Sequence, residues 1–289
     1  MRAFLKSLAV GALIAATLGV QPASAAKQVL FGTTGACNND LPGGPCTQKS
    51  QLVQIDPDTG ALIKVVGPIG FTVNGLTWDR KTQTLYASTA IGDVTFHGLI
   101  TINPFTGKGK PVNSAVQNFG LAGSDSPIHS ISLDGHGRMV GWYDEFPVGV
   151  VTDTFVKIDK KTGVATEFPD TGIDTSANGL SFDEVNYLWN IDTSRGNGPG
   201  NPPTQKAYLM DPVTGKSFKT VALNPPTMAA LGDFNPANNL YYGLSFTSFD
   251  PTAPTSIVVV DPRSGTVTKL ADTLSGLHTL TFAKVVLDR

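Results

Sequence analysis

A short segment that returns five times constrains the fold of this chain more than any other feature. The copies read LVQIDPDTG at 52–60, LITINPFTG at 99–107, FVKIDKKTG at 155–163, YLMDPVTG at 208–215 and IVVVDPRSG at 257–265. Each copy is an alternating apolar strand that runs into a tight turn, where Asp or Asn accepts backbone N–H bonds and Gly supplies a positive φ. Copies spaced about 50 residues apart predict a repeat architecture.

A second pattern recurs between these turns. It reads NGLTWD at 74–79, HSISLD at 129–134, NGLSFD at 178–183 and HTLTF at 278–282, with a degenerate copy around 229–235. Every copy except the last is followed by a short polar link and a further strand, such as LYA at 85–87. Each unit therefore reads strand A, strand B, strand C, the DPxTG turn and strand D. Four antiparallel strands per unit predict a propeller blade.

The two chain ends predict how the propeller closes. The segment VLFGT at 29–33 matches strand B, whereas the segment 277–282 matches strand A. The C-terminal strand A would therefore complete the blade that the N-terminal strands B, C and D begin, and this removes exposed strand edges. We predict an all-β fold, a five-bladed β-propeller of four-stranded antiparallel blades closed by the C-terminal strand. A pair of β-sandwiches is the alternative, and the five-fold period disfavours it.

The N-terminus predicts export. Arg2 and Lys6 precede an apolar run at 8–20 and the small residues Ala23-Ser24-Ala25, which is typical of a signal peptide. A retained membrane anchor is the alternative, but the run is shorter than the roughly 20 residues of a spanning helix. We expect removal of 1–25, a single propeller domain over 26–289, and a periplasmic or extracellular location without a stable membrane anchor.

Charge and cysteine content narrow the partners and the compartment. The net charge is −2 and basic clusters are absent from the sequence, which argues against nucleic acid and anionic membrane surfaces as partners. A small molecule or an extracytoplasmic protein is the expected partner. Cys37 and Cys46 are the two cysteines, and in an oxidising compartment they are expected to form a disulfide. A redox-active pair is the alternative, but the C-x-x-C spacing is missing.

Loop lengths distinguish the two faces of the predicted propeller. The A–B links and C–D turns are short and share one face, whereas the B–C links are long in every blade and lie on the other face. Long irregular loops on a rigid scaffold commonly carry binding sites. The aromatic residues predicted to contact a ligand or partner there are Phe96, Tyr143, Phe146, Phe246 and Phe249.

Aligning the A strands places four polar residues at one equivalent position near the propeller axis. They are Asn74, His129, Asn178 and His278. In the degenerate copy the equivalent is Ala230 or a neighbour. Two imidazoles and two amides could hold a divalent cation, because imidazole suits metals such as Zn and amide oxygen suits Ca or Mn. The alternative is a polar plug whose side chains bond to backbone and ordered water.

The segments NGLTWDRKTQTLYAST and ANGLSFDEVNYLWNID resemble blades of the senescence-marker-protein/gluconolactonase superfamily and its NHL-type and lyase-type relatives. The resemblance implies a central divalent cation, often calcium, coordinated by the Asn of each N-G-L segment, here Asn74 and Asn178. Members of that superfamily have six blades and a Glu at the start of an inner strand. This chain has five repeats and no matching Glu, and His129 and His278 stand at equivalent positions.

Two functional hypotheses follow from these patterns. The first is an exported propeller that binds a small ligand or partner protein through its long-loop face and channel mouth. The second is a metal-dependent lactonase, hydrolase or lyase with one divalent cation (Ca, Mn or Zn) in the central channel. Whether the protein is an enzyme stays open at this point.

Overall fold

The computed structural model describes residues 27–34, 49–89, 93, 95–121, 128–143, 152–173, 175, 178–192, 205–246 and 254–285. The predicted signal peptide, Cys37, Cys46, Phe146 and Phe249 lie outside these residues. Within the described ranges, no helix has the length and apolar character needed to cross a membrane.

Within the described part of the chain, twenty β-strands fall into the four classes that the repeats predict. The A strands are β4 (Val73–Asp79), β8 (Ile128–Leu133), β12 (Asn178–Phe182), β16 (Ala230–Asn235) and β20 (Leu277–Val285). The B strands are β1 (Lys27–Thr34), β5 (Thr84–Thr89), β9 (Met139–Tyr143), β13 (Leu188–Asp192) and β17 (Leu240–Phe246). The C strands are β2 (Gln51–Ile55), β6 (Leu99–Ile102), β10 (Thr154–Ile158), β14 (Lys206–Met210) and β18 (Thr255–Asp261). The D strands are β3 (Leu62–Pro68), β7 (Gly109–Pro111), β11 (Ala165–Glu167), β15 (Ser217–Ala222) and β19 (Thr266–Thr273).

These strands form five separate four-stranded antiparallel sheets, each in the order A-B-C-D. We number them blade 1 (β20, β1, β2, β3), blade 2 (β4–β7), blade 3 (β8–β11), blade 4 (β12–β15) and blade 5 (β16–β19). In blade 1 the C-terminal β20 pairs antiparallel with the N-terminal β1, from Lys27↔Val285 to Thr34↔Leu277. The predicted five-bladed propeller and its closure by the C-terminal strand are confirmed.

The repeated turn works as its sequence predicts. In the first copy, the Oδ1 atom of Asp56 accepts hydrogen bonds from the backbone N–H groups of Asp58 and Thr59, at 2.9 and 3.0 Å. Gly60 then adopts φ +69°, in the left-handed region that glycine tolerates. The turn joins strands C and D, so each copy marks the outer half of one blade.

The hydrophobic core lies between blades. In one cluster, Phe31 and Leu52 of blade 1 pack with Leu76 and Trp78 of blade 2. Trp142 of blade 3 lies in a similar cluster with Phe182 of blade 4. Trp189 is also buried. The three tryptophans therefore pack in the core of the propeller.

Adjacent inner strands are joined by side chains that bond to the free edge of the next strand. The Oγ atoms of Ser130 and Ser132 accept bonds from the backbone N–H groups of Leu180 and Phe182, at 2.9 and 3.0 Å. The Gly of each N-G-L segment keeps this boundary close. A Cβ at Gly179 would lie 1.7 Å from the Oη atom of Tyr241.

Candidate functional site

The four aligned polar residues lie where the inner strands begin, at the end of the propeller that we call the mouth. The opposite end, where the inner strands meet the A–B turns, we call the turn end. Asn178 is the first residue of β12, and Asn74 and His278 are the second residues of β4 and β20. His129 is the second residue of β8. The alignment of these residues at strand starts therefore agrees with the strand bounds.

A β-bulge presents three of these residues. In blade 2, Val73 pairs with Thr89 and Gly75 pairs with the adjacent Ser88, so Asn74 is an extra residue on β4. The same interruption occurs at His129, between Ile128 and Ser130, and at His278, opposite Thr33 and Thr34. Bulges redirect a side chain and are frequent next to active sites. No pattern within a single strand of the sequence predicts these bulges.

Blades 4 and 5 depart from this pattern. Asn178 pairs in regular register with Asp192, without a bulge. In blade 5 the irregularity falls later, between Ala230 and Asp233, and Leu231 has φ +48°. Because Ala230 pairs with Leu244 in the way that Thr279 pairs with Thr33, the equivalent of His278 is Ala229.

His278 has one ring nitrogen fixed by the neighbouring blade. Its Nδ1 atom lies 3.2 Å from the carbonyl oxygen of Val73. A carbonyl only accepts, so Nδ1 carries the proton and Nε2 keeps its lone pair. The side chain is buried, and burial together with nearby His129 lowers the pKa of His278 to about 4, against the opposing effect of the Val73 bond. The ring is therefore neutral at pH 7.

Two buried polar atoms without partners in the described part of the chain belong to the strands on either side of His278. The Nδ2 atom of Asn74 and the Oγ1 atom of Thr33 are buried, and neither has a hydrogen-bond partner within the described ranges. Thr33 pairs with Thr279, the residue after His278, and Asn74 follows Val73. His129 is half-buried. Buried polar groups are normally satisfied, so such atoms mark a place for a ligand or ordered water.

A polar residue lies six positions before the Asp or Asn of each repeated turn, beside the link that enters the next blade. These residues are Ser50, His97, Asp153, Gln205 and Thr255. In the first blade the backbone N–H of Ser50 donates to the oxygen of Phe71 at 2.9 Å, and in the third that of Asp153 donates to Ile173 at 2.8 Å. This polar row was missed, although aligning the repeats two residues further upstream shows it.

The predicted ligand-contacting aromatics have different positions. Phe96 and Tyr143 are only 5 % and 6 % exposed and pack in the cores between blades. Phe96 also meets Phe71 edge-on, with ring centroids 6.1 Å apart. Phe246 ends β17, where it pairs with Thr255. A ring as buried as that of Phe96 can contact a ligand only at its exposed edge. Contact between these aromatic residues and a ligand therefore stays a prediction.

The turn end has a different construction. Arg80 of blade 2 forms a two-bond ion pair with Glu184 of blade 4. Asp233 of blade 5 accepts bonds from the Ser181 and Thr281 hydroxyls at 2.6 and 2.8 Å, and from the Phe282 backbone N–H at 3.0 Å. Burial raises the pKa of Asp233. These contacts join blades 4, 5 and 1 across the closure of the ring.

The side chains at the mouth can be compared with the ligands that the predicted metal ion would need. Among the residues that the structure describes, no three His, Cys, Asp or Glu side chains gather as a metal-binding group. The donors present are imidazole and amide groups, and the anchored Nδ1 of His278 is typical of a metal-ligating histidine. Imidazole nitrogen and amide oxygen are ligand types for a divalent cation, so these donor types are compatible with the predicted site.

The comparisons with known proteins concern the fold. No family model matches the sequence, and no curated protein matches it. A solved protein of unknown function from Bacteroides caccae is 14 % identical, with TM-score 0.48, over 89 % of this chain and 99 % of that one. A luciferin-regenerating enzyme is 13 % identical, with TM-score 0.40, over 75 % and 76 % of the two chains. A 6-phosphogluconolactonase-like protein from Bacteroides uniformis is 15 % identical, with TM-score 0.42, over 87 % and 84 %. At these values the similarities carry no argument about function.

Proposed function

We propose that the protein is an exported propeller that binds a small ligand at the mouth. The observation that carries this proposal is a pair of buried polar atoms without a hydrogen-bond partner in the described ranges, the Nδ2 atom of Asn74 and the Oγ1 atom of Thr33. They belong to the two strands that flank His278, whose Nδ1 atom is fixed on the carbonyl of Val73. Leaving a buried polar group unpaired costs about 1–3 kcal/mol, and a ligand that pairs with these groups recovers that free energy. The long B–C links enter the propeller at the same end.

A metal-dependent enzyme of lactonase, hydrolase or lyase type is the second candidate, and the geometry of His278 favours it. A histidine whose Nδ1–H is held by a backbone carbonyl presents a neutral Nε2 in one orientation. One bound divalent cation would polarise a carbonyl oxygen of the substrate. Asn74 and Asn178, which the sequence resemblance implies as ligands, would hold that cation together with His129 and His278, which the alignment of the A strands adds.

Thermal melting with Ca²⁺, Mn²⁺ or Zn²⁺ alone, and with a panel of organic solutes, tests both candidates. A ligand that binds only the folded state stabilises it by about 2.7 kcal/mol at a hundredfold excess over Kd. We expect stabilisation by at least one probe, and its loss in the double variant His129→Ala/His278→Ala. Hydrolysis of a δ-lactone probe, measured as proton release with and without chelator, distinguishes the enzyme from the binder.

The matched control is His136→Ala. The His136 side chain lies in an A–B turn at the other end of the propeller and is 78 % exposed. We expect this variant to melt and to respond to every probe as the wild type does. If no probe stabilises the wild type, or if the double variant responds equally, the mouth is a polar plug and the proposal is wrong.

A further inference from the structure

We propose that Ser50 and Asp93 are positioning residues for the mouth, which fix the orientation of His278 and Asn74 without touching the ligand. The effect of these two residues on ligand binding rests on the proposed function. Their effect on the orientation of the His278 ring does not depend on any ligand. Both residues act on the segment Thr72–Val73, which leads into the bulge of β4.

Ser50 holds this segment from blade 1. Its side chain is buried, and its Oγ atom accepts a hydrogen bond from the backbone N–H of Val73 at 3.0 Å. Its own backbone is fixed to the same link, because its N–H donates to Phe71 and its carbonyl accepts from Ile69, both at 2.9 Å. Ser50 therefore ties blade 1 to the peptide group just before the carbonyl that receives His278.

Asp93 holds the preceding residue. Its Oδ2 atom accepts a hydrogen bond from the backbone N–H of Thr72 at 2.5 Å. Its Oδ1 atom accepts one from the Nζ atom of Lys49 at 2.8 Å. The Oδ1 atom also accepts the backbone N–H of Thr95 at 2.8 Å. Burial raises the pKa of Asp93, but the bonds from Lys49, Thr95 and Thr72 outweigh it, and the pKa lies below its usual value. The buried group is therefore a carboxylate at neutral pH.

The contacts made by Asp93 and Ser50 restrain two successive residues at the mouth, Thr72 and Val73. The bonds to the N–H groups of Thr72 and Val73 fix the two peptide groups that precede the Val73 carbonyl, and this restrains the direction in which that carbonyl accepts the Nδ1–H of His278. Asn74 is the next residue, so the same restraint fixes the start of its bulge. Residues that orient ligating groups in this way typically change metal affinity by about 10–100-fold when replaced.

The tautomer of His278 is the direct measurement. Long-range ¹H–¹⁵N spectra of the full chain resolve Nδ1–H from Nε2–H, and His278→Gln assigns the signal among the four histidines. We expect the Nδ1–H form in the wild type, and a mixture with a several-fold larger share of Nε2–H in Ser50→Ala and Asp93→Ala. Asp93→Asn keeps an oxygen that can accept the Thr72 N–H, so it should restore much of the wild-type ratio.

Ser132→Ala is the matched control for Ser50→Ala. Ser132 is also buried, and its Oγ atom also accepts a backbone N–H across a blade boundary at 3.0 Å, that of Phe182. It should lower stability as Ser50→Ala does and leave the His278 tautomer unchanged. If Asp93→Ala does not fold, Ser50→Ala decides. A wild-type tautomer ratio in Ser50→Ala, or an equal change in Ser132→Ala, overturns the proposal.

Zn²⁺ titration connects the positioning role to binding. If the wild type binds Zn²⁺, we expect a loss of affinity of about tenfold in Ser50→Ala and none in Ser132→Ala. Unchanged Zn²⁺ affinity in Ser50→Ala counts against the role in binding. If the wild type does not bind Zn²⁺, then Zn²⁺ is not the cation of the mouth, and the tautomer ratio still decides whether Ser50 and Asp93 orient His278.

Discussion

The mouth and the turn end are opposite ends of the same inner strands, yet they satisfy their polar groups differently. At the turn end, the buried carboxylates of Asp79 and Asp183 accept backbone N–H bonds from their own turns, and each also pairs with a cation from the next blade, Lys160 and Arg263. At the mouth, three strands carry bulges, and Asn74 has a buried Nδ2 atom without a partner in the described ranges.

The difference indicates that the two ends contribute differently to the protein. Satisfied polar networks rigidify a structure, whereas groups left unsatisfied destabilise it unless something else pairs with them. The turn-end ion pairs therefore link neighbouring blades, although the Nε1 atom of Trp78, next to Asp79, is also buried without a partner in the described ranges. The mouth retains groups whose free energy improves only when a ligand or water is present, which is the pattern expected of a binding site.

The largest expected loss of stability comes from removing the strand that closes the ring of blades. Deleting residues 276–289 removes β20, and with it the eight pairs with β1 and the partners of Asp233 in blade 1. The cores of blade 1 and its neighbours would lose Leu280 and Phe282. We expect no cooperative unfolding transition by circular dichroism or calorimetry. A truncated chain that melts like the full-length protein would show that β20 does not close the ring.

The next effect concerns the boundary between inner strands. In Gly179→Ala the new Cβ would meet the buried hydroxyl of Tyr241 at 1.7 Å, so one strand must move. We expect a loss of about 2–4 kcal/mol in the free energy of unfolding, measured by urea denaturation. Adding Tyr241→Phe removes the nearest atom and should recover part of the loss. Equal stability of the double and single variants would contradict the clash.

Sequence patterns were sufficient to predict those features of the fold that depend on a single strand and its turn. The period, the strand classes and the role of residues 277–282 can be read from the repeats, because side-chain alternation and turn residues are local signals. The bulge at His278 is a relation between two strands, since it depends on which residues of β20 face Thr33 and Thr34. A periodicity within β20 alone does not contain that information.

The same limit explains the contacts that were missed at the mouth. Asp93 lies in a B–C link with no repeat partner in sequence, and its role depends on the Thr72 N–H that folding brings to it. In blade 5, the degenerate copy left the equivalent of His278 ambiguous between Ala230 and its neighbours. The irregularity between Ala230 and Asp233 moves the equivalence to Ala229, and only strand pairing shows this.

A smaller effect tests whether turn-end ion pairs are structural. Lys160→Met removes the cation from Asp79, whose carboxylate is buried while Lys160 is partly exposed. We expect a loss of about 1–2 kcal/mol at neutral pH, below the full cost of breaking a buried pair because solvent screens the lysine. Lys157→Met, an exposed lysine on β10, is the control and should cost little.

The pH dependence of that loss identifies its cause. Burial raises the pKa of Asp79, but bonds from Lys160 and Thr82 outweigh it, so the folded-state pKa lies below its usual value. A depressed carboxyl pKa stabilises the fold above about pH 4, and this contribution disappears as pH falls through the folded-state pKa. The difference between wild type and Lys160→Met should therefore shrink below about pH 4 in urea titrations. A difference that is constant from pH 7 to pH 3 would exclude the ion pair as its source.

The smallest effect is expected at Asn190, the position where blade 4 differs most from the others. Asn190 pairs with Leu180 and Tyr208, and the equivalent residues of the other B strands are Gly32, Ala87, Gly141 and Gly243. A Cβ at Gly32 would lie 2.6 Å from Leu277, the residue just before a bulged histidine. The A and B strands of blade 4 pair without a bulge, which explains why a larger side chain is tolerated there.

Asn190→Ala should therefore leave the free energy of unfolding unchanged or raise it by up to about 1 kcal/mol. Both amide atoms of Asn190 are buried and have no hydrogen-bond partner in the described ranges, so truncation removes a desolvation penalty along with some packing. Asn235→Ala is the matched control, because the Oδ1 atom of Asn235 accepts bonds from Gln28 and Ala237 at 2.7 and 2.9 Å. That variant should lose about 1–2 kcal/mol. Equal losses in both variants would mean that Asn190 is satisfied by bound water, and the contrast between satisfied and unsatisfied buried amides would then not extend into blade 4.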